Sequence, residues 1–245
     1  MNNTGIKLLS IQVGLPKTLG TSNASDAMDQ EWTTGFFKER VLGPVWVGKT
    51  NLAGDGQADL RVHGGPDKAI NVYPFEHYAF WLNDLACKEL SNGAFGENLT
   101  VSGILETEAC IGDIYELGDT LVQISQPRQP CWKLSRRFRI QDLVARVVQA
   151  GKTGWYFRVL REGYIQAGAE MVLVERPYPQ WTVETANNIM RHRKESKVAA
   201  AQGQEAYVAA QALADCPALS GSWKATLSRT TSTEVAADTA ARNSQ

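Results

Sequence analysis

The chain has 245 residues, of which 43% are hydrophobic, and its formal net charge is −1 at pH 7. This length fits one large domain, or a domain with a small appendix. The near-zero charge argues against bulk nucleic-acid binding, and the lack of a run of about 18 apolar residues argues against a membrane-spanning helix. The first residues lack a basic-then-apolar signal pattern, so we expect a cytoplasmic protein that binds neither membrane nor nucleic acid.

Short strand patterns separated by Gly- and Pro-bearing turns dominate residues 6–169. Strands are predicted at residues 7–13, 45–47, 69–73 and 170–175. A turn at residues 118–119 predicts a hairpin between 113–117 and 120–125, and a turn at 161–163 predicts a second hairpin between 154–160 and 164–167. Many short strands at modest spacing favour a barrel or sandwich over a doubly wound sheet.

Apolar residues at helical spacing predict two helices within the strand-rich region. One covers residues 76–90, and the other covers residues 140–148 and ends near Gly151. Beyond a predicted linker at 176–180 the pattern becomes helical, with Thr182 and Ser220 as candidate caps around an alanine-rich helix at 196–214. We expect this helical end to be an interaction or lid module, and we expect residues 230–245 to be disordered.

Only one of the four cysteines has an electropositive setting. No Cys-x-x-Cys pair occurs among the four, which are Cys87, Cys110, Cys131 and Cys216. This argues against a zinc knuckle. Arg128 and Lys133 flank Cys131, and residues 126–139 contain no acid. Nearby cations favour the thiolate, which attacks electrophiles or binds metal. The basic run at 136–139 fits either a phosphate clamp or a solvated helix start.

Two further segments combine glycine with polar side chains. Residues 54–69 contain His63, Asp67 and Lys68 among small residues that allow a ligand to approach the backbone closely. Residues 93–99 frame Glu97 and Asn98 with glycines, and an asparagine amide suits the edge of a polar heterocycle. From the local sequence alone, each segment fits a structural turn equally well.

Together these segments resemble the MOSC domain, which is named after the C-terminal domain of molybdenum cofactor sulfurase, in its YiiM-like branch. The matching runs are QADLRVHGGPDKAINVYP at 57–74, GAFGENLT at 93–100 and QPRQPCWKL at 126–134. The resemblance implies a mostly β fold with helices, in which a MOSC-type β-barrel at 6–176 precedes a three-helix domain at 182–228.

The resemblance also implies a function. The family binds molybdenum cofactor, a molybdopterin, and related proteins reduce N-hydroxylated compounds, including purine base analogues and amidoximes, in detoxification. Electrons come from a separate flavin-containing reductase, and the family is also associated with pyridoxal phosphate binding. The family's signature cysteine corresponds to Cys131, which is thereby expected to be the molybdenum ligand and the catalytic residue.

The candidate cofactor-binding residues all belong to the matching segments. Their basic members suit the cofactor's phosphate, and their polar members suit the pterin or the substrate. They are Arg128, Lys133, His63, Lys68, Asn98 and Asp67. Asp67 and the nearby Glu97 are also candidates for orienting a ligand or relaying a proton.

Two other functions remain open from the sequence. One is a molybdopterin or sulfur carrier without turnover, in which Cys131 forms a persulfide. The other is a thiol hydrolase or transferase, in which His63 activates Cys131 and must lie within hydrogen-bond reach of it.

Overall fold

A curled eight-stranded sheet forms the centre of the structure, a computed structural model that describes residues 5–193 and 201–231. In spatial order its strands are β12 (Met171–Glu175), β8 (Ile114–Leu117), β9 (Thr120–Pro127), β10 (Trp155–Arg161), β6 (Ile70–Pro74), β7 (Leu99–Ser102), β1 (Lys7–Val13) and β4 (Glu39–Val41). Neighbouring strands are antiparallel except β6 and β7. The backbone N–H of Met171 donates to the carbonyl of Ile6 over 2.8 Å, which brings the start of β1 to the far edge and gives a half-barrel.

Two small sheets flank the half-barrel. One pairs β2 (Lys17–Leu19) with β3 (Trp32–Thr34), and the other pairs β5 (Val45–Val47) with β11 (Gly163–Ile165). The first predicted hairpin is confirmed, because Leu117 of β8 faces Thr120 of β9. The second is wrong: β11 pairs with β5, since β9 and β6 already occupy both edges of β10.

Short helices connect the strands in the first part of the chain. They are α1 (Leu60–His63), a 3₁₀ turn at Pro66–Lys68, α2 (His77–Asp84), α3 (Trp132–Phe138) and α4 (Leu143–Ala150). The helix predicted at 76–90 is shorter in the structure, because Ala86 adopts a left-handed φ of +49°. The end predicted near Gly151 is confirmed, with a φ of +69° at that glycine.

Three helices follow the half-barrel, as predicted: α5 (Val183–His192), α6 (Ala201–Ala214) and α7 (Gly221–Thr231). Both predicted caps are formed, since Thr182 Oγ1 accepts from the N–H of Thr185 and Ser220 Oγ accepts from the N–H of Trp223. Residues 194–200, which include the start of the alanine-rich segment at 196, and residues 232–245 of the predicted disordered tail lie outside the described residues, whereas residues 230 and 231 of that tail belong to α7. No described helix is long and apolar enough to cross a membrane.

Two apolar clusters hold these elements together. The larger one contains residues of the sheet, such as Trp155 and Ile124, together with Leu213 and Leu227 of the last two helices. The smaller one lies among α2, α3 and α4 and is rich in aromatic side chains, including Phe95, which stacks on Tyr73 at 4.7 Å. Leu134 of α3 is fully buried in the smaller cluster, which fixes the position of the segment around Cys131.

Candidate functional site

The three segments singled out in the sequence meet around one open cleft. It holds about 630 Å³ of empty space, including the part open to solvent. Its walls come from the loops after β3 and β5, from the turns before β6 and β7, from the corner between β9 and α3, and from β6 and β10. Six of the eight candidate residues line it: Cys131, Arg128, Lys133, His63, Lys68 and Asn98.

Two glycines let the walls of the cleft approach each other closely. A Cβ atom on Gly35 would collide with the carbonyl oxygen of Gly56, so these two loops touch backbone to backbone. Gly96 has a φ of +79°, and a Cβ atom there would lie 3.0 Å from the ring of Phe36. Both positions require glycine, because side chains would push the walls apart or strain the backbone.

Cys131 lies at the corner that the sequence predicts. Strand β9 ends at Pro127, and Cys131 is the extended residue immediately before α3. Its side chain is half-buried and lines the cleft. Cys110 and Cys216 are buried elsewhere, and Cys87 lies beyond the end of α2, so Cys131 alone among the described cysteines lines this cleft.

Arg128 is a buried cation with spare hydrogen-bonding capacity. Only 4% of the residue is exposed, and its Nη2 donates to the carbonyl of Phe95 over 2.7 Å. Its backbone N–H donates to the carbonyl of Gly154, which ties it to the start of β10. Among the described residues, its buried Nη1 has no hydrogen-bond partner. Because buried donors in proteins are nearly always paired, this atom indicates a missing acceptor.

His63 faces several positive charges across the cleft. Burial lowers the pKa of its imidazole, and Lys133, Lys68 and Arg128 lower that pKa further. Burial also lowers the pKa of Lys68, against the opposing effect of Asp67. The Lys133 ammonium donates to the carbonyl of Thr33 over 2.8 Å. The cleft therefore combines a neutral imidazole with cations, an arrangement that suits an anionic ligand.

Asn98 uses its amide within the protein. Its Nδ2 donates to Asp55 over 2.9 Å and to the carbonyl of Gln12 over 3.3 Å, and its Oδ1 accepts from the N–H of Asn71 over 3.0 Å. Asp55 is buried and forms an ion pair with Lys38. The side chain of Asn98 therefore holds the cleft wall together through partners distant in the chain, and not through its own turn.

Asn71 is a cleft residue that the sequence analysis missed. Asn71 of β6 lies opposite Tyr156 of β10, so both side chains are on the same face of the sheet. Asn71 donates to the carbonyl of Gly96, but its buried Oδ1 has no partner. The available signal was a polar residue inside the apolar strand predicted at 69–73, because such a residue needs a hydrogen-bond partner.

Asp67 and Glu97 lie outside the lining of the cleft. Asp67 Oδ1 lies 2.8 Å from a guanidinium nitrogen of Arg158, and its Oδ2 accepts from the first N–H of α7, that of Gly221. Glu97 is fully buried and accepts from the backbone N–H groups of Gly93 and Phe95. In the structure both carboxylates hold backbone segments in place.

The basic run at 136–139 does not line the cleft. The guanidinium of Arg136 lies over the rings of Trp32 and Trp132, and that of Arg137 lies 4.5 Å from the ring centre of Phe37. Arg139 pairs with Asp29 at 2.6 Å. Through these contacts the arginines pack α3 against residues 29–37. This role differs from both alternatives stated for them, a phosphate clamp and a solvated helix start.

The cleft fits a phosphate-bearing heterocycle. Arg128 Nη1 is an unpartnered donor and Asn71 Oδ1 an unpartnered acceptor, both buried in its wall. A pterin edge offers donors and acceptors, and the cations suit a phosphate. The thiol of Cys131 is a soft ligand, of the kind that suits a soft metal site. Within the described residues, Cys131 and His63 share the cleft without a hydrogen bond between them, so the arrangement required for a thiol hydrolase is not formed.

Comparison with known proteins places this cleft in a family context. The model of the MOSC domain matches residues 59–172. The chain is 45% identical over 192 residues to the uncharacterized protein YflK of Bacillus subtilis (strain 168), covering 78% of this chain and 84% of that protein. It is 40% identical over 161 residues to protein YiiM of Escherichia coli (strain K12), covering 65% of this chain and 71% of that protein.

Two further matches extend the comparison. A protein named "Reductase" from Gibberella moniliformis (strain M3125 / FGSC 7600) is 38% identical over 173 residues, covering 69% of this chain but only 31% of that protein. The crystal structure of YiiM from Geobacillus stearothermophilus superimposes with a TM-score of 0.73 at 38% identity, covering 93% of this chain and all of that one. That coverage includes most of the helical end as well as the half-barrel.

Proposed function

Because this chain belongs to the MOSC family, in the branch of the YiiM proteins, we propose that it is a molybdenum cofactor-dependent reductase of N-hydroxylated compounds. The MOSC domain is associated with molybdenum cofactor binding, and one relative is named as a reductase. The observation that carries the proposal is the joint placement of Cys131, Arg128 Nη1 and Asn71 Oδ1 around one cleft.

The proposed reaction is the reductive cleavage of an N–O bond. R–NHOH takes up two electrons and two protons, the N–O bond breaks, and R–NH₂ and water are released. When bound, a molybdenum cofactor supplies the two-electron redox centre for this chemistry. A separate flavin-containing reductase supplies the electrons.

The residues of the chain have distinct proposed roles in this reaction. The Cys131 thiolate binds the metal, Arg128, Lys133 and Lys68 bind the cofactor's phosphate, and Asn71 hydrogen bonds to the pterin edge. His63 faces the same cleft as a neutral imidazole, which can donate one hydrogen bond and accept another. The family-level association with pyridoxal phosphate stays a prediction.

The proposal is tested with Cys131→Ser, produced in a host that makes the cofactor. We expect stoichiometric molybdenum and reduction of an N-hydroxylated purine base in the unaltered protein. We expect Cys131→Ser to lose the reduction while its circular dichroism spectrum is retained. Cys87→Ser is the matched control, because Cys87 is also half-buried but lies outside the cleft.

Retained reduction in Cys131→Ser would remove the role assigned to this residue. A persulfide on Cys131 without turnover of any N-hydroxylated compound would favour the carrier function instead. Reduction that persists after growth with tungstate, which displaces molybdenum, would show that the activity does not depend on the metal.

A further inference from the structure

A second groove lies beside the cleft and shares part of its wall. Its lining shares Ala58, His63 and Lys133 with the cleft, and its other members are Glu31, Trp32, Thr33, Asp59 and Trp132. Trp132 directly follows Cys131 in the chain, so the groove reaches the cleft close to the proposed metal ligand.

The wall of this groove is an exposed tryptophan held in place by its neighbours. Trp132 is 54% exposed, whereas the neighbouring Trp32 is buried. The two ring centres are 5.7 Å apart, and the Arg136 guanidinium lies 5.6 Å from the ring centre of Trp132. Arg136 is itself anchored, because its Nε donates to the carbonyl of Met28. Lys133 Nζ also lies 5.8 Å from this ring centre, and the exposed remainder of the indole is a preformed platform for a flat apolar ring.

Two carboxylates also line the groove. The Arg61 guanidinium hydrogen bonds to Asp59 and lowers the pKa of that carboxyl to about 2, so Asp59 is anionic at neutral pH. Glu31 is exposed and accepts from the hydroxyl of Ser22 over 3.1 Å. Carboxylate oxygens accept hydrogen bonds, and a base with exocyclic N–H groups provides the matching donors.

We propose that this groove is a substrate subsite, in which a planar N-hydroxylated heteroaromatic base stacks on Trp132. The assignment rests on the proposed reductase function and deepens it, because it predicts a preference for planar over aliphatic substrates. A small molecule fits better than a protein partner, since the groove is concave and adjoins the cleft at His63 and Lys133.

The first experiment compares two substrates in Trp132→Leu, with reduced methyl viologen as the electron donor, so that docking of a protein reductase does not enter. For an N-hydroxylated purine base we expect KM to rise about tenfold with kcat little changed. A tenfold change corresponds to about 1.4 kcal/mol, within the range for base–aromatic stacking. For an aliphatic amidoxime we expect both constants to be unchanged.

Two further variants separate stacking from general damage. Trp132→Phe keeps an aromatic face against Trp32 and Arg136, so its KM for the purine base is expected to rise only about twofold. Trp46→Leu removes another partly exposed tryptophan, from β5 and outside both the groove and the cleft, and is expected to change neither constant. An equal loss for both substrates in Trp132→Leu would overturn the subsite.

The second experiment measures binding without turnover, by equilibrium dialysis of adenine against the purified holoprotein. We expect Trp132→Leu to raise the Kd for adenine about tenfold.

If the Kd rises while no N-hydroxylated compound is reduced, the subsite stands and the reductase function fails. If the purine base is reduced equally well by Trp132→Leu, the subsite fails and the reductase function stands. A rate loss seen only with a protein reductase as donor would also overturn the subsite and would indicate partner docking.

Discussion

At the scale of single residues, the unpartnered polar atoms of the cleft are more informative than its charged side chains. Lys133 and Asn98 look like ligand-binding residues in the sequence, yet each already hydrogen bonds to the protein. Arg128 Nη1 and Asn71 Oδ1 are buried and have no partner. A buried polar group without a partner costs roughly 1–3 kcal/mol. A ligand that satisfies both atoms would recover that free energy on binding.

His63 should make the stability of the cofactor-free protein depend on pH. Burial and three nearby cations lower its folded-state pKa below the ordinary 6.5. Below pH 6.5 the unfolded chain therefore binds a proton that the folded chain does not, and the free energy of unfolding falls as the pH falls. Between pH 7.5 and pH 5.5, we expect the free energy of unfolding to fall less for His63→Gln than for the unaltered protein. Urea denaturation measures both.

The control for this measurement is His192→Gln, which removes an exposed histidine on α5 outside the cleft. An equal decline in the unaltered protein and in His63→Gln would contradict the assignment of a depressed pKa to His63. With this lowered pKa the imidazole is neutral at pH 7.

At the scale of elements, Asn98 joins three neighbouring strands of the sheet. It directly precedes β7, which lies between β6 and β1. Its backbone N–H donates to the carbonyl of Asn71 in β6, and its carbonyl accepts from the N–H of Gln12 in β1. The side chain adds hydrogen bonds to the same two residues and to Asp55. One side chain thus sets the spacing of the strands that form the cleft wall.

We expect Asn98→Ala to destabilise the cofactor-free protein by roughly 2–4 kcal/mol, because it leaves several buried groups without partners at about 1–3 kcal/mol each. Urea denaturation of protein made without molybdenum measures this directly. Asn51→Ala is the matched control, since its amide makes a single hydrogen bond to the backbone of Asp55, worth about 1 kcal/mol. Unchanged stability in Asn98→Ala would indicate a ligand-binding residue rather than a structural one.

At the scale of the whole molecule, the helical end is packed into the half-barrel. Leu227 of α7 and Leu213 of α6 are fully buried in the same apolar cluster as the sheet residues Trp155 and Ile124. The first N–H of α7, that of Gly221, donates to the carboxylate of Asp67, which immediately precedes the cleft residue Lys68. The strands of the region predicted at 6–176 and the helices of the region predicted at 182–228 therefore share one apolar core.

We expect Leu227→Ala to destabilise the protein by about 2–5 kcal/mol, as for other large-to-small changes in a core. Because the core is shared, the far-ultraviolet circular dichroism and tryptophan fluorescence transitions should shift together. Val208→Ala on α6 is the control, since Val208 is 55% exposed and the change should stay within about 0.5 kcal/mol. Two separate transitions, with only one affected by Leu227→Ala, would show that the helical end folds independently.

The sequence by itself determined the family, the order of most elements and the corner that carries Cys131. These depend on local signals: the alternation of apolar residues, the turn residues, and runs such as Pro130-Cys131-Trp132, which are recognised from the sequence alone. The helix end at Gly151 and the helix caps at Thr182 and Ser220 also depend on neighbouring residues. The sequence was therefore sufficient to predict them.

Only the tertiary structure decided which residues have unsatisfied groups and which strands are neighbours. The pairing of β11 with β5 depends on β10 having no free edge, which is a property of the whole sheet. The roles of Asn71 and Asn98 depend on atoms contributed by residues 25 to 86 positions away. Hydrogen-bond satisfaction is a matter of distances in space, and the spacing of residues along the chain does not contain it.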